Sequence, residues 1–401
     1  MSRLAELIEQ LCPDGVEYRP LGELLAYQQP TPFLVSSKDY DPSYPTPVLT
    51  AGATFLLGYS SETHGVYVAS TDDPVIIFDD FTTASKWVDF PFKLKSSAAK
   101  ILTAADPNVA DMRFLYFLMQ TLNYQVGSHT RHWIAVYSKM RVCCPPLEVQ
   151  QEIVRILDQF TTLEAELEAE LEARRAQYEH YRNHLLSYDS LAARGPVEMV
   201  KLGDIASIQR GRRFTLDQLG GAGCPAIHYG QIYTHYGVST TSVLSYIEES
   251  FSSSLRFALQ GDVIVAAVGE TVEDVGIGVA WLGADAVAYH DDSFALHHEQ
   301  DPRYLSYWLR SDEYHRQKRS FVSQGKVKRL SAKGLAAVKL PLPGLSEQRR
   351  IADLLDCFDA LVNDISSGLP AEIEARRAQY EHYRDRLLSF PEKCVSDRGA
   401  S

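Results

Sequence analysis

The sixteen residues Ala173–Tyr188 (ARRAQYEHYRNHLLSY) return 202 positions later as Ala375–Phe390 (ARRAQYEHYRDRLLSF), with 13 identities, ten of them consecutive. Chance does not produce such a match, so the fold must contain two copies of one plan. Upstream, PPLEVQQEIVRILDQF (Pro145–Phe160) aligns with PGLSEQRRIADLLDCF (Pro343–Phe358) at an offset of 198. The offset grows by four between the blocks, about one helical turn, so one helix face continues across the insertion. Weaker echoes lie elsewhere. VEYRPLGELLAYQ (Val16–Gln28) matches VEMVKLGDIASIQ (Val197–Gln209). Asp111, Arg113 and Leu115 match Asp301, Arg303 and Leu305, and Gly127 with Arg131 matches Gly325 with Arg329. The plan is A–B–A′–B′: residues 1–144, 145–188, 189–342 and 343–390, with a tail at 391–401. Two copies at this period describe a duplicated protein and not a solenoid.

In B, apolar or aromatic residues fall at Ile153, Leu157, Phe160, Leu163, Leu167, Leu171, Tyr178, Tyr181 and Leu185. Steps of three and four sustained this long predict an amphipathic helix with a coiled-coil seam. Such a helix of about 40 residues is roughly 60 Å long. The glutamates at 164, 166, 168, 170 and 172 read as its solvated face. In B′, Gly368 and Pro370 interrupt the pattern and predict a kink or a two-part helix. A long seam needs a partner, and the other copy is at hand. Antiparallel packing would hold A and A′ apart at opposite ends. The matching surface residues ask for more than packing, and suit two copies of one external partner. The candidates for that surface are Arg174, Arg175, Gln177 and Tyr178, with Arg376, Arg377, Gln379 and Tyr380.

A net charge of −13 argues against a nucleic-acid binder. The distribution changes that reading. Residues 145–188 and 343–390 carry −5 and −3, whereas 189–342 carry only −1. The excess acidity sits largely in the helices, which need not touch a nucleic acid.

A and A′ mix short β-like runs, such as Val75–Phe78 and Val263–Val265, with short helices and many turn residues. They read as compact α/β units with a mixed sheet. Arg303–Lys339 holds ten bases and two acids, with a glycine-bearing basic tip at Ser323–Leu330 (SQGKVKRL). A second basic turn is Gln209–Phe214 (QRGRRF). In A, the matching stretch VGSHTRHW precedes Lys139 and Arg141. Bases beside Gln, Tyr and His on loop tips suit phosphate contact and base-edge reading. The candidate DNA contacts are His129, Arg131, His132 and Lys139 in A, and Gln209, Arg210, Arg212, Arg213, Lys326, Lys328 and Arg329 in A′.

Catalytic signatures are missing. There is no G-x-x-x-x-G-K-[ST] run. Asp79-Asp80 is a single acidic pair, and His297-His298-Glu299 lacks the second histidine of H-E-x-x-H. Asp41-Pro42-Ser43-Tyr44 is similar to the D-P-P-Y loop of adenine methyltransferases but lacks its second proline. The six cysteines form no C-x-x-C pair, so no zinc site is expected and a reduced, cytoplasmic protein is the simple reading. The N-terminus shows no secretory h-region, and no apolar run approaches a membrane span. The residues therefore suggest a protein without its own catalytic site and without a bound metal.

The order A–helix–A′–helix resembles the specificity (S) subunit of Type I restriction-modification enzymes. The residues that carry the resemblance are LCPDGVEYRPLGEL near the start, PPLEVQQEIVRIL and PGLSEQRRIADLL at the helix entrances, and the RRAQYEHYR copies. It covers essentially the whole chain. One departure is Val149 where the second copy has Glu347, read as a surface change. The resemblance implies an α+β fold: two similar mixed α/β target-recognition domains separated by two long antiparallel coiled-coil helices about a pseudo-twofold axis. It implies that each domain reads half of a bipartite DNA target and that the helices set the spacing. It further implies two methyltransferase (modification) subunits docked on the helices, with S-adenosylmethionine bound by the partner and no cofactor bound by this chain. Restriction subunits using ATP and Mg would add an endonuclease.

A reading from another class remains: a coiled-coil scaffold that bridges two copies of one partner without touching DNA. A self-contained methyltransferase is a third. The divergence of A from A′ predicts an asymmetric target. A helix of roughly 60 Å spans at most about 18 base pairs. Adding or removing one helical turn in residues 145–188 should change the preferred spacer and leave each half-site intact. Methylation mapping of such variants checks this, and altered half-sites with a fixed spacer would count against it.

Overall fold

The computed structural model describes residues 3–50, 52, 54–122, 124, 131–215, 218–220, 222–363 and 367–393. The chain divides into two units, residues 1–167 with 373–401, and residues 168–372. Each unit takes one globular copy, one part of the first long helix and one part of the second helical region.

The first unit is built on Val75–Asp79, a β-branched run buried along its whole length. Alternate side chains of a strand face opposite sides, and here both sides are covered. Ile76 and Phe78 join a core with Leu102, Phe114, Leu115, Val149, Ile153 and Leu157. Val75 and Ile77 join a second core with Leu49, Val88, Phe92, Leu94 and Ile101. The strand order of this sheet is Leu25–Gln28, Ala99–Ala104, Val75–Asp79, Ser85–Val88, all antiparallel. A second sheet places Thr46–Leu49 between Leu56–Ser60 (antiparallel) and Lys93–Leu94 (parallel). Glu17–Pro20 pairs with Arg141–Cys144. The described end of the tail joins this edge, because Lys393 N donates to Val16 O at 2.8 Å and Arg141 pairs with Glu392.

The second unit repeats the scheme with larger sheets. Val263–Ala266, buried throughout, lies in the order Ala206–Arg210, Ser293–His298, Val263–Ala266, Gly278–Trp281, Ser239–Thr240. The second five-stranded sheet runs Leu219–Gly220, Ser245–Ile247, Cys224–Ile227, Val287–Tyr289, Phe257–Ala258. Val197–Lys201 pairs with Lys339–Pro343 as its counterpart does in the first unit. The PLGEL and KLGDI echoes now have a cause. A Cβ on Gly22 would fall 2.9 Å from Ser138 Cβ, and one on Gly203 would fall 2.8 Å from Ala336 Cβ. Only glycine allows that approach in either copy.

The weak Asp–x–Arg echoes mark an interlock made twice. Asp111 caps the helix Met112–Thr121 by accepting from Arg113 N and Phe114 N. Its own backbone N donates to Gln150 Oε1 at 2.8 Å, and Gln150 Nε2 donates to Pro145 O at 2.7 Å. Arg113 then pairs with Asp158 at 2.9 Å. In the second unit Asp301 caps Pro302–Trp308, its N donates to Gln348 Oε1 at 3.0 Å, and Gln348 Nε2 donates to Pro343 O at 2.8 Å. Arg303 pairs with Asp356. Each glutamine is wholly buried.

The predicted long helix is Leu147–Leu185, 39 residues. The second helical region is two helices, Leu345–Asn363 and Leu369–Leu387, with Pro370 in the first turn of the latter. Proline is tolerated there because that N–H has no intrahelical acceptor. Packing is antiparallel within each unit. In the first, Phe160 stacks on Tyr383 (5.6 Å, 27°) and lies beside Tyr380, while Glu164 pairs with Arg377. In the second, Tyr181 stacks on Phe358 (5.5 Å, 22°) and Tyr178 donates to Asp359 at 2.9 Å. Phe160 and Phe358 are aligned residues of the repeat, as are Tyr181 and Tyr383. The arginines repeat too: Arg182 lies over Tyr178 and Arg384 over Tyr380.

Three expectations change. Tyr178, 5% exposed, is core and not a docking surface. Tyr380 is half-buried against Phe160 for the same reason. Val149 is wholly buried in the first core, so the Val149/Glu347 difference is not a surface change; Glu347 pairs with Arg350 and Arg194.

Gln150→Ala and Gln348→Ala should each destabilise the unit that contains the residue. Each leaves a buried backbone N–H unpaired, at a cost of about 1–3 kcal/mol. Urea unfolding checks this, and unchanged midpoints would show that the interlock is incidental.

Candidate nucleic-acid interface and partner surface

In the second unit the fold brings both basic turns together. Arg210, at the end of strand Ala206–Arg210, donates from Nε to Asp291 O at 2.6 Å. Its Nη2 lies 3.5 Å from Asp291 Oδ2 and 3.7 Å from Asp292 Oδ1. Arg329, from the other turn, reaches the same Asp292 Oδ1 at 3.1 Å. The arginines are 58% and 57% exposed and Asp292 20%. Exposed pairs of this kind add only about 0–1 kcal/mol to stability. Their effect is orientation: two guanidiniums from distant segments are held beside one carboxylate. They line a cleft of about 630 Å³ with Val268, Phe294, Phe321 and Ser323.

Local structure explains the presentation. Gly211 lies so close to the preceding sheet that a Cβ would fall 2.2 Å from His290 O. Only glycine lets the turn lie flat there and leave Arg212 and Arg213 exposed. Gln209 Oε1 accepts from Tyr289 OH at 2.9 Å. Arg329 N donates to Ser323 Oγ at 3.0 Å. Lys328–Arg329 pairs with Val268–Gly269, and Leu330 N donates to Ala267 O at 2.9 Å. Lys326 stands exposed at the tip and Lys328 is half-exposed.

Beside the arginines lies a neutral aromatic group. His228 and His290 sit 4.7 Å apart, with Tyr229 and Phe214 against them. Burial, and then the neighbouring His290, push the His228 pKa down to about 4. Burial also lowers that of His290, against the pull of Asp291 and Asp292. Both rings are therefore neutral at pH 7 and offer hydrogen bonds and ring faces, not charge. His290, Asp291 and Asp292 could together ligate a metal ion, yet His290 Nδ1 already accepts from Asp292 N and both carboxylates hold Arg210.

In the first unit Arg131 is exposed and Lys139 is exposed at the end of the turn Tyr137–Lys139. His129 lies outside the described residues. His132 is a correction: it is 2% exposed, its ring 3.2 Å from Tyr124 OH, and it supports the loop from within. The described end of this stretch, from Arg131 on, is tied at the same place as in the second unit. His132 N donates to Asp80 O at 2.9 Å, the counterpart of the Leu330–Ala267 bond. Asp80 also accepts from Trp133 N at 2.7 Å and pairs with the buried Lys100. The Asp79-Asp80 pair is thus consumed by its own turns, Asp79 accepting from Phe81 N and Thr82 N. The Asp41 carboxylate is likewise held by Ser43 N and Ser43 Oγ. Burial pushes the Cys143 thiol up to about 12, which leaves it unreactive.

On the helices, Arg174, Arg175, Arg377 and Gln379 are exposed, and Gln177 and Arg376 half-exposed. Arg174 donates to Gln177 (2.9 Å) as Arg376 does to Gln379 (3.4 Å), so the two copies present the same local arrangement. Arg175 pairs with Glu172, and Arg377 with Glu164. Asp291, Asp292, His228 and His290 escaped the sequence reading. Arg210 and Asp291 are 81 residues apart, and no local spacing announces their meeting. Among the described residues no helix is long and apolar enough to cross a membrane.

The family described as "Type I restriction modification DNA specificity domain" matches residues 13–173 and 195–375. The chain is 40% identical over 413 residues to the Type I restriction enzyme EcoR124I/EcoR124II specificity subunit of Escherichia coli, covering 98% of both chains. Among solved structures, the fold is similar to a chain from a study of complex assembly and conformational transition of the type I R-M system (TM-score 0.60, 16% identity, 94% and 98% covered). It is also similar to the Type-I restriction-modification S subunit from M. genitalium (TM-score 0.52, 14% identity, 93% and 96% covered).

Replacing Lys326 and Lys328 together by Ala should weaken DNA binding at all sequences alike. The slope of log affinity against log salt should fall by about 0.9 for each lost phosphate contact. A salt titration checks this, and an unchanged slope would remove the loop from the interface.

Proposed function

The chain belongs to the family of Type I restriction-modification DNA specificity proteins, and on that premise we propose how its parts divide the work. It is a specificity subunit with two target-recognition domains for a bipartite DNA target. We assign residues 1–144 and 189–342 to recognition of the two half-sites. Residues 145–188 and 343–390 form the spacer and partner-binding regions, and 391–401 the tail. The observation that carries this reading is the basic loop hung from the same strand end in both units, by His132 N to Asp80 O and by Leu330 N to Ala267 O.

The two loops share a support and differ in the side chains around it. Arg329 stands beside Arg210 and Asp292, whereas His132, next to Arg131, bonds to Asp80, which pairs with the buried Lys100. Different side chains on a common frame read different sequences, so the target is asymmetric. Two modification subunits dock on the exposed arginine–glutamine arrangements of the helices, one at each copy. S-adenosylmethionine is bound by those partners, and this chain supplies no catalytic group. The assembled complex is an adenine methyltransferase, and two restriction subunits with ATP and Mg convert it to an endonuclease. The complex works in the cytoplasm, where its DNA is.

The test is co-expression with a modification subunit, followed by sequencing for methylated adenines. The expected result is a split, asymmetric motif of which one half changes when residues 195–342 are exchanged for those of a relative. A stable complex of one chain with two partners that neither binds nor methylates DNA would replace this reading with the scaffold. Methylation by the chain alone would assign catalysis to it after all.

A further inference from the structure

We infer that Arg210, Asp292 and Arg329 form a base-reading group that selects a G·C pair within the half-site of the second recognition domain. The inference rests on the reading of the chain as a DNA specificity subunit and adds the base that this group takes.

Charge separates base reading from phosphate gripping. A surface that only grips phosphate is built from donors and carries net positive charge. Here Arg210 and Arg329 are matched by Asp291 and Asp292, so the group as a whole is neutral. The bases outside this group, Arg212, Arg213, Lys326 and Lys328, lie along the two turns that carry it. A carboxylate set between two guanidiniums orients them, repels a phosphate, and can accept from a ligand that also offers a donor.

The hydrogen-bond pattern then selects the pair. Asp292 Oδ1 accepts from Arg329 at 3.1 Å and lies 3.7 Å from Arg210 Nη2. Among the described residues no donor reaches its Oδ2, which leaves one acceptor beside the fork of Arg329. Guanine presents two neighbouring acceptors, O6 and N7, which match an arginine fork, and cytosine presents the N4 amino donor beside them. An A·T pair separates its acceptors with the adenine amino group and offers no such neighbouring couple. The arginines are also fixed before DNA arrives: Arg210 by three contacts to Asp291 and Asp292, and Arg329 by Asp292 and a backbone bond to Ser323. Ordering a guanidinium in advance lowers the entropy lost on binding. Asp292 is thus both a positioning residue for the arginines and an acceptor for the amino group. Phe294, Phe321 and Val268 line the same cleft.

The experiment uses the full chain assembled with its modification subunit. Each base pair of the half-site assigned to residues 189–342 is replaced in turn, and binding is measured for wild type, Asp292→Asn and Arg329→Lys. Wild type should lose roughly tenfold or more at one G·C pair when that pair is replaced. Both variants should lose that discrimination while keeping it at the other positions. Arg329→Lys is exposed and keeps its charge, so it reports on the fork even if Asp292→Asn disturbs folding. A half-site with no position that demands G·C, profiles unchanged in both variants, or an equal loss at every position would overturn the inference. Wild type that binds every duplex alike would overturn the specificity reading itself, a separate and recognisable result.

Discussion

Everything else in the chain hangs on how each globular copy is locked to the helix that leaves it. One buried glutamine does this in each unit. Gln150 and Gln348 each accept from the backbone of a helix-capping aspartate and donate to the carbonyl of the proline that begins the helical segment. A buried amide with both ends satisfied fixes direction as well as position, because neither end can rotate away without leaving a group unpaired. The arginine two residues after each capping aspartate then reaches the helix again, at Asp158 or Asp356. The domain surface that carries a basic loop is therefore tied to the axis of its own helix. If the helices set the spacing, as proposed, such a coupling keeps the distance between half-sites sharp.

The second constraint is the exchange between repeats. The RRAQYEHYR copy in the first long helix packs within the second unit, against Phe358, and the copy in Leu369–Leu387 packs within the first, against Phe160. Each copy faces residues of the other repeat and not its own. A change in Tyr181 must then suit Phe358, 177 positions away, and a change in Tyr383 must suit Phe160, 223 positions away. This cross-dependence accounts for much of the near-identity of the helical repeats without an external partner. It does not account for Arg174 with Gln177, or Arg376 with Gln379, which lie outside the aromatic contacts and keep the same arrangement.

Divergence between the copies leaves their shared supports in place. Both basic loops keep the backbone bond that suspends them, and both domains keep the glycine that lets Ser138 or Ala336 come close. Around the loops the side chains differ in kind. The first unit buries a lysine–aspartate pair under the loop, and the second sets its arginine–aspartate group on the surface. Of the net charge of −13, the two helical segments carry −8, while residues 1–144 carry −4 and 189–342 only −1, so the acidity lies largely outside the two globular copies. In the second domain the acids are mixed among the arginines, where they orient donors instead of opposing the ligand.

Periodicity and repetition alone established the two-copy plan, the long helix, the break at Gly368–Pro370 and the basic loop tips. These are local properties: a helix face repeats every three to four residues and a proline acts on its own turn. Tertiary structure alone decided which of the candidate residues meet. His132 and Tyr178 have the composition of surface contacts and are buried. Val149 stands opposite a glutamate in the alignment and is core. Asp292 carries no local signal, yet it joins Arg210 and Arg329 across the domain. Burial and pairing depend on which strands become neighbours, and strand order is a property of the whole sheet that no window of sequence contains.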